Sequence, residues 1–280
     1  MVTKSFGIYN GENEQLLNKD DMLILEVGKS HIALVLTNTS KNITGFELFT
    51  FVENEASLDK LFIAIGNTSR YLNHSFVSAT IYINHEFCLP VPSDKFSESI
   101  SSDYLNMIFG LDAQSISHND IVEMQPQMVC VYRVPQELTD LLTPRYDHIE
   151  LKHTWTNILK TINKVTGSLA GPLIYVQFYN TYFIATIIKD NTLHLIQNFI
   201  YENPEDVLYQ LLNIAKQYEL DTNIVEVRVC GVLDPNYKLF RELSNYFKII
   251  VTEKIDPTLS LINTSDYPGH YFTPFFNLAL

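Results

Sequence analysis

Residues 22–36 read MLILEVGKSHIALVL: two apolar runs split by Gly28-Lys29-Ser30, and the nature of that split decides how the rest of the chain is read. A phosphate loop of the Walker type needs a glycine five positions before Gly28, where Leu23 stands, and its Lys-Ser pair must open a helix. Ser30 leads instead into HIALVL, a run with the composition of a strand. The break is therefore a tight turn between two strands. A third run, ITGFELFTFV, comes after the polar TNTSKN, so 22–52 reads as a three-stranded meander.

Working outward, 57–72 places Leu58, Leu61, Phe62, Ile65 and Leu72 near helical spacing, and SATIYIN at 78–84 reads as a buried strand. The same order returns from residue 172: PLIYVQF, TYFIATII and TLHLIQNFIY, a helix over 204–219 with Asn203 as cap and Pro204 as first residue, then the strand IVEVRVCG. A shift of 151 positions lays Glu26 on Gln177, Gly28 on Tyr179, Ser30 on Thr181, Ile32 on Phe183 and Phe46 on Gln197. Strand positions agree in type and turn residues do not, which is the mark of an internal duplication.

Between the copies, 86–150 offers a strand at 128–134, a helical segment after Ser97 and a Pro-opened segment at 135–142. A helix is expected over 151–166, stopped at Gly167, and another over 235–247, opened by Asp234 and Pro235, ahead of the strand KIIVT. The expected division is an N-terminal segment 1–21, a first lobe 22–150 with an inserted subdomain at about 86–135, a linking helix and linker 151–171, and a second lobe 172–280. The last lobe ends in an aromatic tail, where Tyr267, Tyr271, Phe272, Phe275 and Phe276 carry more apolar area than an exposed tail tolerates.

Composition narrows the function. With 19 basic against 32 acidic residues the net charge is −13, which repels a phosphate backbone, so nucleic acid is not an expected partner. The start lacks the basic and apolar regions of a signal peptide, and no run approaches the length of a membrane span; a cytoplasmic protein without membrane insertion is expected. Cys88, Cys130 and Cys230 lie in apolar runs and read as buried thiols, the eight histidines show no metal-ligand spacing, and no Gly-x-Ser-x-Gly elbow occurs. TGSLAG around Ser168 reads as linker, and Asp103, Asp112, Asp120 and Glu123 as a solvated acidic face.

A meander, helix and strand used twice, with an insertion in the first copy, resembles the actin-like ATPase superfamily, to which sugar kinases and the heat-shock chaperone ATPase domain belong. The tail, with Pro268, His270 and Tyr271, is similar to that of an uncharacterised bacterial family of degenerate actin-like fold, and the insert with its CLPVPSDKF resembles the extra subdomain of actin-like scaffold proteins of type IV pilus and type II secretion machines. The resemblance implies an α/β, duplicated ribonuclease H-like fold of two lobes with mixed sheets. It also implies where a nucleotide would sit: active members end the first strand of each lobe with Asp-x-Gly, whose carboxylate holds hydrated Mg²⁺ and whose bare backbone faces phosphate. Here the first copy is Glu26-Val27-Gly28-Lys29-Ser30, the second is Gln177-Phe178-Tyr179-Asn180-Thr181, and the adenosine loop keeps only Gly231 of a Gly-Gly pair. Glu26, Gly28, Lys29, Ser30, Gln177 and Gly231 are thus expected as vestigial cofactor-binding positions of a non-catalytic binding or scaffold protein with a protein partner, no cofactor and no metal. Two alternatives stay open at this stage: an ATP- and Mg²⁺-dependent phosphotransferase or ATPase using Glu26 and Lys29, and a self-assembling scaffold, a homo-oligomer in contact through the insert and the tail.

Overall fold

β2 (Met22–Gly28) and β3 (His31–Thr37) form an antiparallel hairpin around Lys29 and Ser30, with Glu26 opposite Ala33 and Val27 opposite Ile32. The computed structural model to which they belong describes residues 2–11, 17–53, 55–167, 169, 171–233 and 238–280. Contacts divide the chain into two units: 1–160 with 256–264 and 278–280, and 161–255 with 265–277. The division thus runs through the helix of 154–166, and 256–264 and the last three residues join the first unit although they follow the second in sequence.

In the first unit β4 (Ile43–Thr50) extends the hairpin antiparallel to β3, and β5 (Ser78–Asn84) and β9 (His148–His153) add parallel strands beyond β2. With β1 (Thr3–Tyr9) at one edge, the sheet order is β1-β4-β3-β2-β5-β9. In the second unit β10 (Leu173–Phe178), β11 (Tyr182–Lys189) and β12 (Thr192–Ile200) form the meander, and β13 (Glu226–Gly231) and β14 (Ile249–Thr252) follow parallel, in the order β12-β11-β10-β13-β14. Apart from β1 the two sheets have one topology. β3, β10 and nearly all of β11 are buried at every position, which is why they appear in sequence as unbroken apolar runs.

Register confirms the shift of 151 across each first hairpin, since Glu26↔Ala33 has its counterpart in Gln177↔Ile184. It does not hold for the third strand. Val35 faces Phe46 while Thr186 faces Ile196, so Phe46 corresponds to Ile196 and not to Gln197. The second copy turns at Asp190-Asn191, both at positive φ, where the first uses a longer loop, and one residue is lost there.

Four strands depart from expectation. β1 (Thr3–Tyr9), inside the segment 1–21, pairs with β4 because Lys4 and Tyr9 both reach the buried carboxylate of Glu47, at 2.6 and 2.7 Å. β6 (Cys88–Pro92), β7 (Ser115–Val122) and β8 (Met128–Pro135) make the three-stranded sheet of the insert, of which the sequence shows only β8, the other two being Pro-rich or polar. β9 takes the first three residues of the helix expected over 151–166, and α4 begins at Thr154. The helix expected over 57–72 is α1 (Leu58–Gly66) alone, because the Ser69 hydroxyl then accepts the backbone N–H groups of Tyr71 and Leu72 and shapes a turn.

α2 (Ser101–Phe109) and α3 (Gln136–Leu142) flank the insert sheet. α5 (Pro204–Gln217) starts with the Asn203 cap, whose side chain accepts from Asp206 N while Asp206 accepts in return. α6 (Lys238–Tyr246) precedes β14; Asp234 and Pro235, expected to open it, and Ser168 lie outside the described residues. The tail folds into α7 (Thr273–Phe276) and buries Phe272, Phe275 and Phe276 against its own unit. All three cysteines are buried free thiols.

Candidate functional site

The ends of β2, β5 and β9 stand side by side at the carboxyl edge of three parallel strands, the edge at which α/β sheets hold ligands. Glu26, two residues before Gly28 on the same strand, is fully buried there. Its carboxylate receives His31 Nε2 at 2.9 Å, Asn84 Nδ2 at 3.0 Å and Thr154 Oγ1 at 2.7 Å. A buried carboxylate needs such donors, since an uncompensated charge in the interior costs several kcal/mol, roughly 3–5 when one partner of a buried pair is missing. His31 opens β3 across the turn from Gly28, and a Cβ on Gly28 would lie 2.3 Å from His31 Cε1. The glycine leaves room for the imidazole to reach Glu26. Asn84 Oδ1 is buried without a donor among the described residues, so this cluster has an acceptor to spare.

The other two residues of the turn point elsewhere. Lys29 Nζ pairs with Glu86 and, at 3.7 Å, with Glu53. The Ser30 carbonyl accepts the N–H of Phe51.

The second copy is closed by different means. Gln177 is buried and donates through Nε2 to the Tyr179 hydroxyl at 2.6 Å. Tyr179, at the position of Gly28, is 2% exposed; its ring stacks on Tyr182 with centroids 4.7 Å apart and meets the edge of Phe275 at 5.9 Å. Both backbone groups of Tyr179 are bonded within the unit: its N–H donates to Tyr182 O, and its carbonyl accepts from the Tyr201 hydroxyl at 2.7 Å. Gly231 ends β13 opposite Phe178 with φ +97°, and a Cβ there would sit 2.1 Å from Phe178 O. Its N–H donates to the carbonyl of His270, whose Nε2 donates to Leu233 O at 2.6 Å. The tail residue His270 thus occupies the hydrogen-bonding capacity of the one glycine retained at the loop.

A second polar cluster of the first unit was not visible in the sequence. Asp120, read there as part of a solvated face, accepts His153 N–H and Thr156 Oγ1, both at 2.8 Å, and the Tyr132 hydroxyl at 3.1 Å. It caps the N-terminus of α4 from the insert, where the helix dipole favours an anion. Burial raises its pKa above the ordinary 3.8 in spite of those donors. His153 and His85 are both held neutral by burial, His153 well below 6.5. Their tautomers follow from the bonds: each donates from Nε2 to a carbonyl, of His85 and Arg133 respectively, and accepts a backbone N–H at Nδ1. The structure therefore unites Glu26 and Gly28 with His31, Asn84 and Thr154 in the first unit, and Gln177 with Tyr179 and Gly231 with His270 in the second. No group of three or more candidate metal ligands occurs among the described residues, and no helix among them is long and apolar enough to cross a membrane.

Comparison with known proteins agrees with this topology. The sequence profile of a family described as "Protein of unknown function (DUF3822)" matches residues 10–250. A Bacteroides thetaiotaomicron VPI-5482 protein with an actin-like ATPase fold and unknown function superimposes with a TM-score of 0.77 at 16% identity, over 96% of this chain and 100% of that one. The structure described as the PilM-PilN type IV pilus biogenesis complex gives a TM-score of 0.63 at 10% identity, over 94% and 98% of the two chains. No curated protein matches the sequence.

Proposed function

The chain belongs to the DUF3822 family and has the actin-like ATPase fold, and from the two closed turns we propose that it is a non-catalytic member that works by binding another protein. One observation carries the reading: at the second turn, where the fold's active members present a bare glycine to phosphate, the ring of Tyr179 lies buried between Tyr182 and Phe275. The first turn supports it. Gly28 is kept, yet the space it leaves belongs to His31, the Glu26 carboxylate is committed to three donors, and Lys29 is paired with acids. A protein partner is supported by analogy with the similar PilM-PilN structure, in which an actin-like chain is seen in a complex.

The test is calorimetric titration of the purified protein with ATP and ADP, with and without Mg²⁺, next to thermal unfolding. A nucleotide at about 100 times its Kd stabilises the native state by about 2.7 kcal/mol. The expected result is no heat and no shift in melting at millimolar nucleotide. A Mg²⁺-dependent shift abolished by Glu26→Gln would overturn the proposal in favour of a phosphotransferase or ATPase.

A further inference from the structure

The first sheet carries β1 along β4, whereas the second ends in β12 with no further strand among the described residues. Register makes the two edges comparable: 45–50 of β4 correspond to 195–200 of β12, and 45–50 is the stretch along which β1 lies antiparallel. The direction of the backbone groups follows from one bond in each copy. Tyr201 N–H donates to Thr181 O, so strict alternation turns Gln197 and Phe199 towards β11 and Ile196 and Ile200 away from it. In the first copy Asn10 N–H donates to Thr44 O, and the same alternation turns Phe46, the counterpart of Ile196, towards Ile8 of β1. Ile196 and Ile200 have no described strand to receive them.

Sheet edges in monomers are guarded by charge, proline, irregularity or shortness, since an open ladder templates another strand. The other edges here follow that rule: β6 holds Pro90 and Pro92, β9 holds Glu150 and Lys152, β1 holds Lys4 beside a register shift, and β14 has four residues. β12 does not. Residues 191–201 contain no Asp, Glu, Lys, Arg or Pro, the one bulge lies at His194 before the regular stretch, and Ile200 is 76% exposed. An uncharged edge lets two chains of net charge −13 meet without like charges face to face. The edge is also self-complementary, because a two-fold axis at Asn198 sets Ile196 of one copy against Ile200 of the other, twice over, with their outward N–H and C=O groups in register. We propose that β12 pairs antiparallel with β12 of a second copy of this chain, joining the two five-stranded sheets into one continuous sheet and covering each exposed Ile200 with Ile196 of the other copy. None of these residues belongs to either turn, so the pairing is independent of the nucleotide reading.

Sedimentation equilibrium of the full chain, carried to about 1 mM in about 0.5 M NaCl to screen the repulsion between copies, should show a monomer–dimer equilibrium. Ile200→Pro removes an N–H that faces away from β11, so the monomer keeps its own ladder and the dimer loses a bond on each side of the axis; the dimer should weaken by about tenfold or more. Ile200→Lys puts a guarding charge at the same exposed position without touching the backbone and should weaken it likewise, which keeps the test open if proline disturbs the fold. Met107→Lys, at an 81% exposed position of α2, should leave the dimer unchanged. Amide exchange of Ile196 and Ile200, followed by NMR, should slow as the chain is concentrated. A chain that stays monomeric at the highest concentration overturns the proposal and leaves the edge to a strand of another protein. So does a dimer that survives Ile200→Lys, or one that is lost in Met107→Lys, which places the contact on the insert.

Discussion

The turn at 28–30 and the turn at 179–181 occupy one position in two copies of the same unit, and they are filled by opposite chemistry. The first keeps its glycine and carboxylate and fills with polar groups: an imidazole over Gly28, and an amide and a hydroxyl on Glu26. The second has exchanged both residues and fills with aromatic rings. A retained glycine therefore does not by itself mean a retained phosphate site, because a short side chain serves any neighbour that needs the space, and here the neighbour is His31.

The largest effect is expected from reopening the aromatic turn. Tyr179→Gly removes a ring packed on Tyr182 and Phe275 and orphans the Gln177 amide, so urea unfolding should show a loss of about 3–5 kcal/mol. A loss below about 1 kcal/mol would mean that the ring does not fill the turn, and the contrast would collapse. Next come the glycines. Gly231→Ala must move backbone, Phe178 O, from a strained φ and should cost about 3 kcal/mol, whereas Gly28→Ala meets only the end of the His31 side chain, which can rotate away at about 1–2 kcal/mol. The reciprocal exchanges sharpen the comparison further. Glu26→Gln should cost about 2–3 kcal/mol by disturbing the buried hydrogen bonds from His31, Asn84 and Thr154. Gln177→Glu should destabilise at neutral pH and recover on acidification, since a buried carboxyl is tolerated when protonated.

Acid distinguishes the units as well. His85 and His153 are neutral in the folded first unit and protonate near 6.5 once unfolded, so their contribution is complete at neutral pH and falls as pH drops below about 6.5, by up to about 1.4 kcal/mol per pH unit for each. Asp120 has the opposite sign, because its raised pKa favours the folded state at low pH and that contribution is lost as pH rises. Hydrogen exchange between pH 7 and about 5 should therefore show β5 and β9 losing protection ahead of β10 and β13. The smallest effect belongs to Lys29→Ala, under about 1 kcal/mol, since its ion pairs are solvent-accessible.

The duplication was legible because buried strands write themselves as apolar runs: β3, β4, β10 and β11 are of this kind. β6, β7 and β9 were not, since CLPVP holds two prolines, SISHNDIV is mostly polar and HIELKH runs straight into an amphipathic helix. The six candidate positions could be named from the chain, but the partners that hold such side chains were hidden by distance along it: Thr154 is 128 residues from Glu26, and Asp120 is 33 from the backbone it caps. His31 alone left a signal. In a hairpin with a two-residue loop it must face Gly28, and an imidazole opposite a glycine, with a carboxylate two residues away on the same face, predicts the contact seen.

The Tyr82 hydroxyl, on β5 beside the edge strand of the first sheet, donates to the carbonyl of Leu278, 196 residues later, and Leu261 N–H donates to Ile43 O beside the bridge from Ser260. On the ribosome the unit that emerges first is consequently the one finished last: its sheet can pair early, but its final contacts wait for the whole of 161–255 to be made.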